Sequence, residues 1–349
     1  MIGENGLYDD HRTDYEKSDT NKNRIKYWDI AKGFTIIIVI MGHIKNIDPF
    51  IRNIIYSYHM PFFFIANAYF IKNYNIIDNL KKSARSLLIP YAAVCVISAI
   101  LSAFLKESVS PVKVFFTQIA EMFLGFSKTN NIFVVFNGVW LVWFVVCLFA
   151  SRMIYIFLMH FLQNKSLLLQ FTVMILLADF GWLIGEYYAF LPWSFDIALV
   201  SLTLMWLGDN LHKSNVFNTH KLILLITSML IWVIGLLLNL NLEMAVRRYP
   251  SLFPSLITAA AGSIVVIYIS KAIDAKFLIL SKFLSWCGQN SMIILAVHNF
   301  EMRFFNSYTY IFSNWLPIFI LKAVLIIIIS WIIVQIIGFI KKASINVFK

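Results

Sequence analysis

Long apolar segments recur along this 349-residue chain, and they direct it into a lipid bilayer. Hydrophobic residues make up 60% of the sequence and charged residues 13%, a balance that soluble domains of this length do not carry. The sequence predicts an all-α fold, a polytopic bundle of about ten transmembrane helices. The predicted spans lie near residues 33–48, 58–77, 87–105, 139–160, 166–185, 193–211, 220–240, 252–272, 283–301 and 316–340.

The net charge of +11 arises from lysines and arginines that lie between the apolar segments and in both tails. This pattern is typical of cytoplasmic loops beside anionic lipid, and it argues against a nucleic-acid partner. The positive-inside rule therefore places both termini in the cytoplasm, in a multi-pass protein of the cell membrane. We expect residues 1–28 to form a largely disordered cytoplasmic tail, residues 29–341 the transmembrane domain, and residues 342–349 a second cytoplasmic tail.

The longest loop, residues 106–138, contains a stretch from Pro111 to Phe126 that alternates apolar and polar residues with helical spacing. We interpret it as an interfacial or re-entrant helix that does not cross the membrane. Asparagines and a glycine after it, from Asn130 to Gly138, predict a turn-rich connection.

Three cysteines lie far apart in or beside apolar segments, at Cys95, Cys147 and Cys287. Their positions predict small apolar core residues and indicate no disulfide framework and no metal site.

A titratable pair lies along the first predicted helix: Lys32 at the membrane surface where the span begins, and His43 eleven residues later within the span. On an α-helix this spacing places both side chains on one face, about 16 Å apart along the axis. An ionisable group inside a membrane span indicates a functional site. Two structural alternatives remain open: Lys32 as an interfacial anchor whose amine reaches the headgroups, and His43 as a hydrogen-bonding link between helices.

Two further histidines, His59 and His298, fall at the same predicted side of the membrane as His43. His59 is predicted to begin the second span, with Pro61 in its first helical turn, and its structural alternative is an interfacial histidine. In the ninth span Ser291 shares a face with His298, while Glu301 is near enough to contact the imidazole and fix its tautomer. The alternative for Glu301 is a surface salt link to Arg303 or His298.

Arg152 lies in the middle of the fourth span, where a charged side chain needs a polar partner. Substrate is one possibility, and an internal acid (Asp179, Glu186 or Asp196) is the other.

Together these residues resemble the acyltransferase-3 family of integral membrane acyltransferases, in particular stand-alone members similar to fucose O-acetylases and to capsule or exopolysaccharide O-acetyltransferases. The resemblance covers essentially the whole chain. It rests on ordered motifs: the basic residue and histidine of the first span, His59-Met-Pro-Phe-Phe-Phe, Arg85 with Pro90-Tyr91, Trp143-Phe144, and Gly288 with Asn290-Ser291 and His298. The chain departs from the family pattern at Asn67-Ala68, where Ser-Gly is usual, and at Val145, where leucine is usual.

The resemblance implies an O-acyltransferase that uses acetyl-CoA or another acyl-CoA as co-substrate and holds no cofactor. The implied acceptor is a sugar hydroxyl of a surface polysaccharide or of its lipid-linked precursor, with separate glycan-assembly proteins as possible partners. His43 would be the general base, or would carry the acyl group as an acyl-imidazole, with Lys32 and His298 as the other catalytic residues.

The implied substrate-binding residues are Asp29, Arg24, His59, Arg85, Arg152, Ser291 and Glu301. Arg24, Lys26, Lys32 and Arg85 would meet the phosphates of the donor, and Asp29 would orient Lys32. A rival reading is a transporter or flippase for a lipid-linked saccharide, although no inverted repeat is evident in the sequence. A sensory or scaffold protein is the second rival, and the buried ionisable residues argue against it.

Overall fold

The computed structural model describes residues 24–105, 110–126, 139–187, 191–214, 216–305 and 314–347. Across these residues the protein is a bundle of helices, and its extended pairing is limited to an isolated bridge between Glu243 and Arg248. The predicted turn-rich connection from Asn130 to Gly138 lies outside the described residues, as does most of the predicted N-terminal tail.

Among the described residues, the first half of the bundle has seven α-helices, of which α3 and α4 join through a π-helical turn at Ala84–Leu88. Their bounds are α1 Lys26–Gly42, α2 Pro49–Tyr69, α3 Ile76–Ser83, α4 Ile89–Leu105, α5 Pro111–Leu124, α6 Trp143–Leu162 and α7 Leu167–Tyr187.

In the second half of the bundle, short helices and turns separate the long helices. Its helices are α8 Phe195–Val200, α9 Leu202–Lys213, α10 Val216–Thr219, α11 Lys221–Leu237, α12 Leu252–Lys276, α13 Leu278–Gln289, α14 Ser291–Phe304 and α15 Trp315–Val347. Single 3₁₀ turns lie at Trp140–Val142, Pro192–Ser194 and Met244–Val246.

Five helical segments of the described chain are long and apolar enough to cross a membrane by length and composition. They are Ile76–Leu105, Trp140–Leu162, Leu167–Tyr187, Leu252–Lys276 and Trp315–Ser344, and Lys221–Leu237 is a shorter apolar helix. These segments confirm an all-α membrane protein. Each predicted span overlaps at least one helix, although several bounds differ.

The prediction that His59 begins the second span was wrong. Helix α2 begins at Pro49, where the Asp48 side chain accepts hydrogen bonds from the amides of Phe50 and Ile51. Arg52 and Asn53 in its first turns interrupt the apolar run, which hid the true start. His59 therefore lies in mid-helix, and Pro61 is an internal proline.

The ninth span was predicted as one helix, and the structure divides it in two at Asn290. Helix α13 packs closely along α1: a Cβ atom on Gly288 would lie 1.8 Å from the Asp29 carbonyl oxygen, and one on Gly33 would lie 1.9 Å from that of Leu284. Two glycines thus let the backbones touch, as small residues do between membrane helices. This contact fixes α14, which carries His298, relative to α1, which carries His43.

The segment that we interpreted as an interfacial or re-entrant helix is helical and forms α5, and its Gln118 and Glu121 side chains are buried against the bundle. Tyr91 on α4 donates a hydrogen bond to the Met122 carbonyl, while the Arg303 guanidinium of α14 donates to Gln118. Helix α5 therefore packs beside the end of α14 that follows His298.

Candidate active site

Two imidazoles face each other where α1 meets α14. The ring centroids of His43 and His298 lie 5.2 Å apart, at an interplanar angle of 73°. His43 immediately follows the last residue of α1, and its Nδ1 lies 2.7 Å from the Val39 carbonyl oxygen. Because a carbonyl only accepts, the proton of the neutral ring is on Nδ1 and the lone pair is on Nε2.

His298 is fully buried, and an acidic residue on its own helix holds it. Its Nδ1 lies 3.2 Å from Glu301 Oε2, the contact that the spacing of three predicted. An ionised carboxylate accepts a hydrogen bond, so Nδ1 carries the proton here too. No hydrogen bond to Nε2 is formed within the described part of the chain. A carboxylate behind an imidazole stabilises the cation that forms when the ring takes up a proton.

Lys322 completes this group, and the sequence interpretation gave it no role. Its Nζ lies 3.0 Å from Glu301 Oε2, and the lysine side chain is 1% exposed. A buried carboxylate stays ionised only beside a compensating charge. Helix α15 thereby supplies the cation that keeps Glu301 a hydrogen-bond acceptor for His298.

A cavity of about 180 Å³, which we call the histidine cavity, opens beside these histidines. His43, His59 and Ser291 are in its wall, with apolar side chains from α1, α2, α6 and α14 around them. His59 Nδ1 lies 2.8 Å from the Ile55 carbonyl oxygen, and its ring contacts that of Tyr56 at 4.9 Å. Three of the predicted site residues thus share one cavity, with His298 behind His43.

A second cavity, of about 370 Å³, lies at the opposite end of α1, and we call it the basic cavity. Its charged lining comprises Arg24, Lys26, Asp29 and Lys282, so basic groups predominate. Asp29 is 2% exposed and pairs with the Arg24 guanidinium and with Lys32, whose Nζ lies 2.8 Å from Asp29 Oδ1. Asp29 and His43 are separated by two heptads, or about 21 Å along the axis, so they lie on nearly the same side of α1, one at each cavity.

A family model described as an acyltransferase domain matches residues 25–335, which is most of the chain. The chain belongs to the acyltransferase-3 family. No curated protein and no solved structure matches it. The match confirms the resemblance seen in the motifs and establishes a membrane acyltransferase; it supplies no closer relative to test the similarity to fucose O-acetylases.

Arg152 of the acyltransferase lies away from both cavities, and none of the three predicted acids is its partner in the structure. Its guanidinium donates to the Asn67 side chain at 2.8 Å, to the Asn67 carbonyl at 3.1 Å and to the Asn79 side chain at 3.0 Å. These amide oxygens are on α2 and α3, so Arg152 links three helices. Asn67, one of the departures from the family pattern, supplies two of the acceptors.

Asp196, the predicted acid partner on α8, pairs instead with Arg247. Its two carboxylate oxygens accept from the guanidinium at 2.7 and 3.0 Å, and both side chains are almost fully buried. Arg247 follows the Met244–Val246 turn in a left-handed backbone conformation, and Met244 is in the wall of the histidine cavity. The pair therefore anchors the loop that covers this side of the cavity.

Arg85 lies in the π-helical turn, and its side chain is exposed. It does not line the basic cavity, where Lys282 is present instead. Lys282 comes from α13, so sequence order alone does not bring it to Arg24; the close contact of α13 with α1 does.

Proposed function

We propose that this acyltransferase transfers an acyl group, acetyl or larger, from a cytoplasmic acyl-CoA to a sugar hydroxyl of a cell-surface polysaccharide or its lipid-linked precursor. The observation that carries the proposal is the pair of facing imidazoles at one end of α1, with the basic cavity at the other end. We infer that the protein lies in the plasma membrane with both termini in the cytoplasm. The basic cavity then faces the compartment in which acyl-CoA is made.

Donor binding would use the basic cavity. Phosphate groups of CoA would form charge-assisted hydrogen bonds with Arg24, Lys26 and Lys282. Asp29 holds Arg24 and Lys32 in place through two ion pairs, and it leaves an excess of positive charge at the cavity. Ser291 and His59 would contact the reacting groups beside His43.

Proton transfer would use the Nε2 atoms of His43 and His298, which carry the ring lone pairs when Nδ1 holds the proton. His43 accepts the proton of the acceptor hydroxyl while the oxygen attacks the thioester carbonyl carbon; the C–S bond then breaks and the CoA thiolate takes the proton. Two imidazoles 5.2 Å apart do not both become cations readily, because like charges repel in a buried site. His298, hydrogen-bonded to Glu301, would assist by accepting a hydrogen bond from the acceptor hydroxyl or by taking up its proton. An acyl-imidazole on His43 is the alternative route through the same atoms.

The proposal is tested by mass spectrometry of surface glycans from cells without the gene, with it, and with His43→Ala at matched protein level. A mass increment of one acyl group that requires the intact protein and His43 supports the proposal. Loss of the entire surface glycan without any change in its acylation would instead indicate a flippase. Unchanged glycan in all three strains would remove the proposed acceptor class.

A further inference from the structure

One side of the histidine cavity is walled by apolar side chains, and we name this part the apolar chamber. Its wall consists of Met60 and Phe63 from α2, Leu87 from the π-helical turn, and Phe144 and Leu148 from α6. Phe63 and Phe144 hold each other in place, with ring centroids 5.7 Å apart. The cavity also reaches Ile36, two helical turns or about 10 Å from His43.

Most polar side chains in the cavity wall already form hydrogen bonds within the protein. The Tyr56 hydroxyl donates to the Gly42 carbonyl at 3.2 Å, and the Nδ1 atoms of His43 and His59 bond backbone carbonyls of their own helices. A sugar buried in the apolar chamber would leave hydroxyls without partners, and the pantetheine arm of CoA would leave two amides without partners. The chamber therefore favours a hydrocarbon occupant.

The size of the cavity indicates how much hydrocarbon fits. An apolar protein cavity of about 150 Å³ remains dry and binds benzene, which has six carbon atoms. The whole histidine cavity is about 180 Å³ and the apolar chamber is only part of it, so the two carbons of an acetyl group beside His43 would leave the chamber largely unfilled. Unfilled apolar space loses dispersion contacts that a longer chain would regain.

We propose that the apolar chamber binds the acyl chain of the donor, and that the enzyme prefers unbranched chains of about four to six carbons over acetyl. This inference rests on the proposed function and defines its donor more closely. The chain stays in the chamber while the carbonyl carbon passes from sulfur to the acceptor oxygen, so it contributes equally to the bound substrate and to the transition state. Chain length consequently changes KM much more than kcat.

The experiment uses membranes that contain the full-length protein and four labelled donors: acetyl-, butanoyl-, hexanoyl- and octanoyl-CoA. Label incorporated into the glycan fraction gives the initial rates, and the thermal unfolding of the purified protein with each thioester gives binding without an acceptor. We expect KM to fall about fourfold per added methylene up to the limit of the chamber, and to rise again for octanoyl-CoA.

Two substitutions in the cavity wall change its volume in opposite directions. Val145 also lines the histidine cavity, and Val145→Phe would reduce the cavity volume, so we expect it to shift the preference toward acetyl; Leu148→Ala enlarges the chamber and should shift it toward octanoyl. Impaired folding would lower all four rates together and would not produce opposite shifts. Val233→Phe on α11, where the side chain is 43% exposed, is the control for adding an aromatic ring.

Three outcomes of this experiment support or overturn the proposed chain-length preference. A preference for butanoyl or hexanoyl that the two variants move in opposite directions supports the inference. Transfer of acetyl alone, or a chain-length profile unaffected by both variants, overturns it while leaving the proposed function intact. Transfer from none of the four donors would overturn the proposed function, and the inference with it.

Discussion

Lys322 Nζ lies 3.0 Å from Glu301 Oε2, and this ion pair lies directly behind His298. The lysine comes from α15 and the other two residues from α14, so one contact between helices sets the hydrogen bonding of the imidazole. The same carboxylate oxygen accepts from both His298 and Lys322. From this arrangement we expect Lys322 to act as a positioning residue at a distance from the substrate.

Replacing Lys322 by methionine should therefore impair transfer. The buried Glu301 would lose its cation, a change that destabilises buried pairs by about 3–5 kcal/mol. Glu301 would then take up a proton and donate a hydrogen bond to His298 Nδ1, so the proton of the neutral ring would move to Nε2. We expect a rate about 100-fold lower, the scale of a general-base contribution, in assays of CoA release at matched amounts of folded protein.

Lys322→Arg separates positioning from packing, because it keeps the charge and changes the shape. Recovery of activity in this variant, with the methionine variant inactive but folded, supports the positioning role. Equal rates for wild type and Lys322→Met would contradict it.

His43 and His59 line the same cavity, but we expect different effects from their substitution. His43 contacts His298 and would handle the proton, so His43→Ala should reduce kcat by at least about 100-fold. His59 contacts the Tyr56 ring and bonds the Ile55 carbonyl of its own helix, so His59→Ala should mainly raise KM for the acceptor. Steady-state kinetics of both variants tests this division; a larger kcat loss for His59→Ala would reverse the assignment.

Substitution of Arg152 should affect stability more than donor binding. Its guanidinium makes three hydrogen bonds to the half-buried Asn67 and the buried Asn79, and Arg152→Met would remove all three, at about 1–3 kcal/mol for a buried acceptor left without a partner. We expect a lower Tm in detergent and an unchanged KM for acyl-CoA in the fraction that remains folded. A raised KM with an unchanged Tm would instead support a substrate-binding role.

The basic cavity predicts a salt-dependent donor affinity. Lys282 is exposed and lines this cavity with Arg24, so Lys282→Gln should raise KM for acyl-CoA several-fold while kcat stays the same. The difference should shrink as ionic strength rises, because salt screens exposed charges. Lys165→Gln, in the turn between α6 and α7, is the matched control; an equal effect there would show a general surface charge effect.

Residue spacing in the sequence was sufficient to predict side-chain contacts within a single helix. The spacing of His298 and Glu301 predicted a contact that the structure contains, and that of Asp29 and Lys32 predicted another. Both pairs are three residues apart, a separation at which helix geometry alone brings side chains together.

Contacts between helices could not be found in the same way. Lys322 and Lys282 reach the site from α15 and α13, and Arg152 meets amides on α2 and α3. Which helices are neighbours depends on how small residues let them pack, and periodicity carries no such information. The start of α2 was missed for a related reason: Arg52 and Asn53 look like loop residues, yet they bind Glu243, Leu236 and Asn239 across the bundle.

The contact between α1 and α13 provides a last prediction. In Gly288→Ala the new Cβ atom would lie 1.8 Å from the Asp29 carbonyl oxygen, and the helices would have to separate. Overpacking of this kind destabilises by about 1–3 kcal/mol or more, so Tm should fall. The shift would also displace Asp29 and Lys282, which line the basic cavity from the two helices, so KM for acyl-CoA should rise in the folded fraction.

Gly338→Ala on α15 is the matched control, because nothing lies within 4 Å of the added Cβ atom. Equal behaviour of the two variants would mean that close packing of α1 on α13 does not organise the donor site.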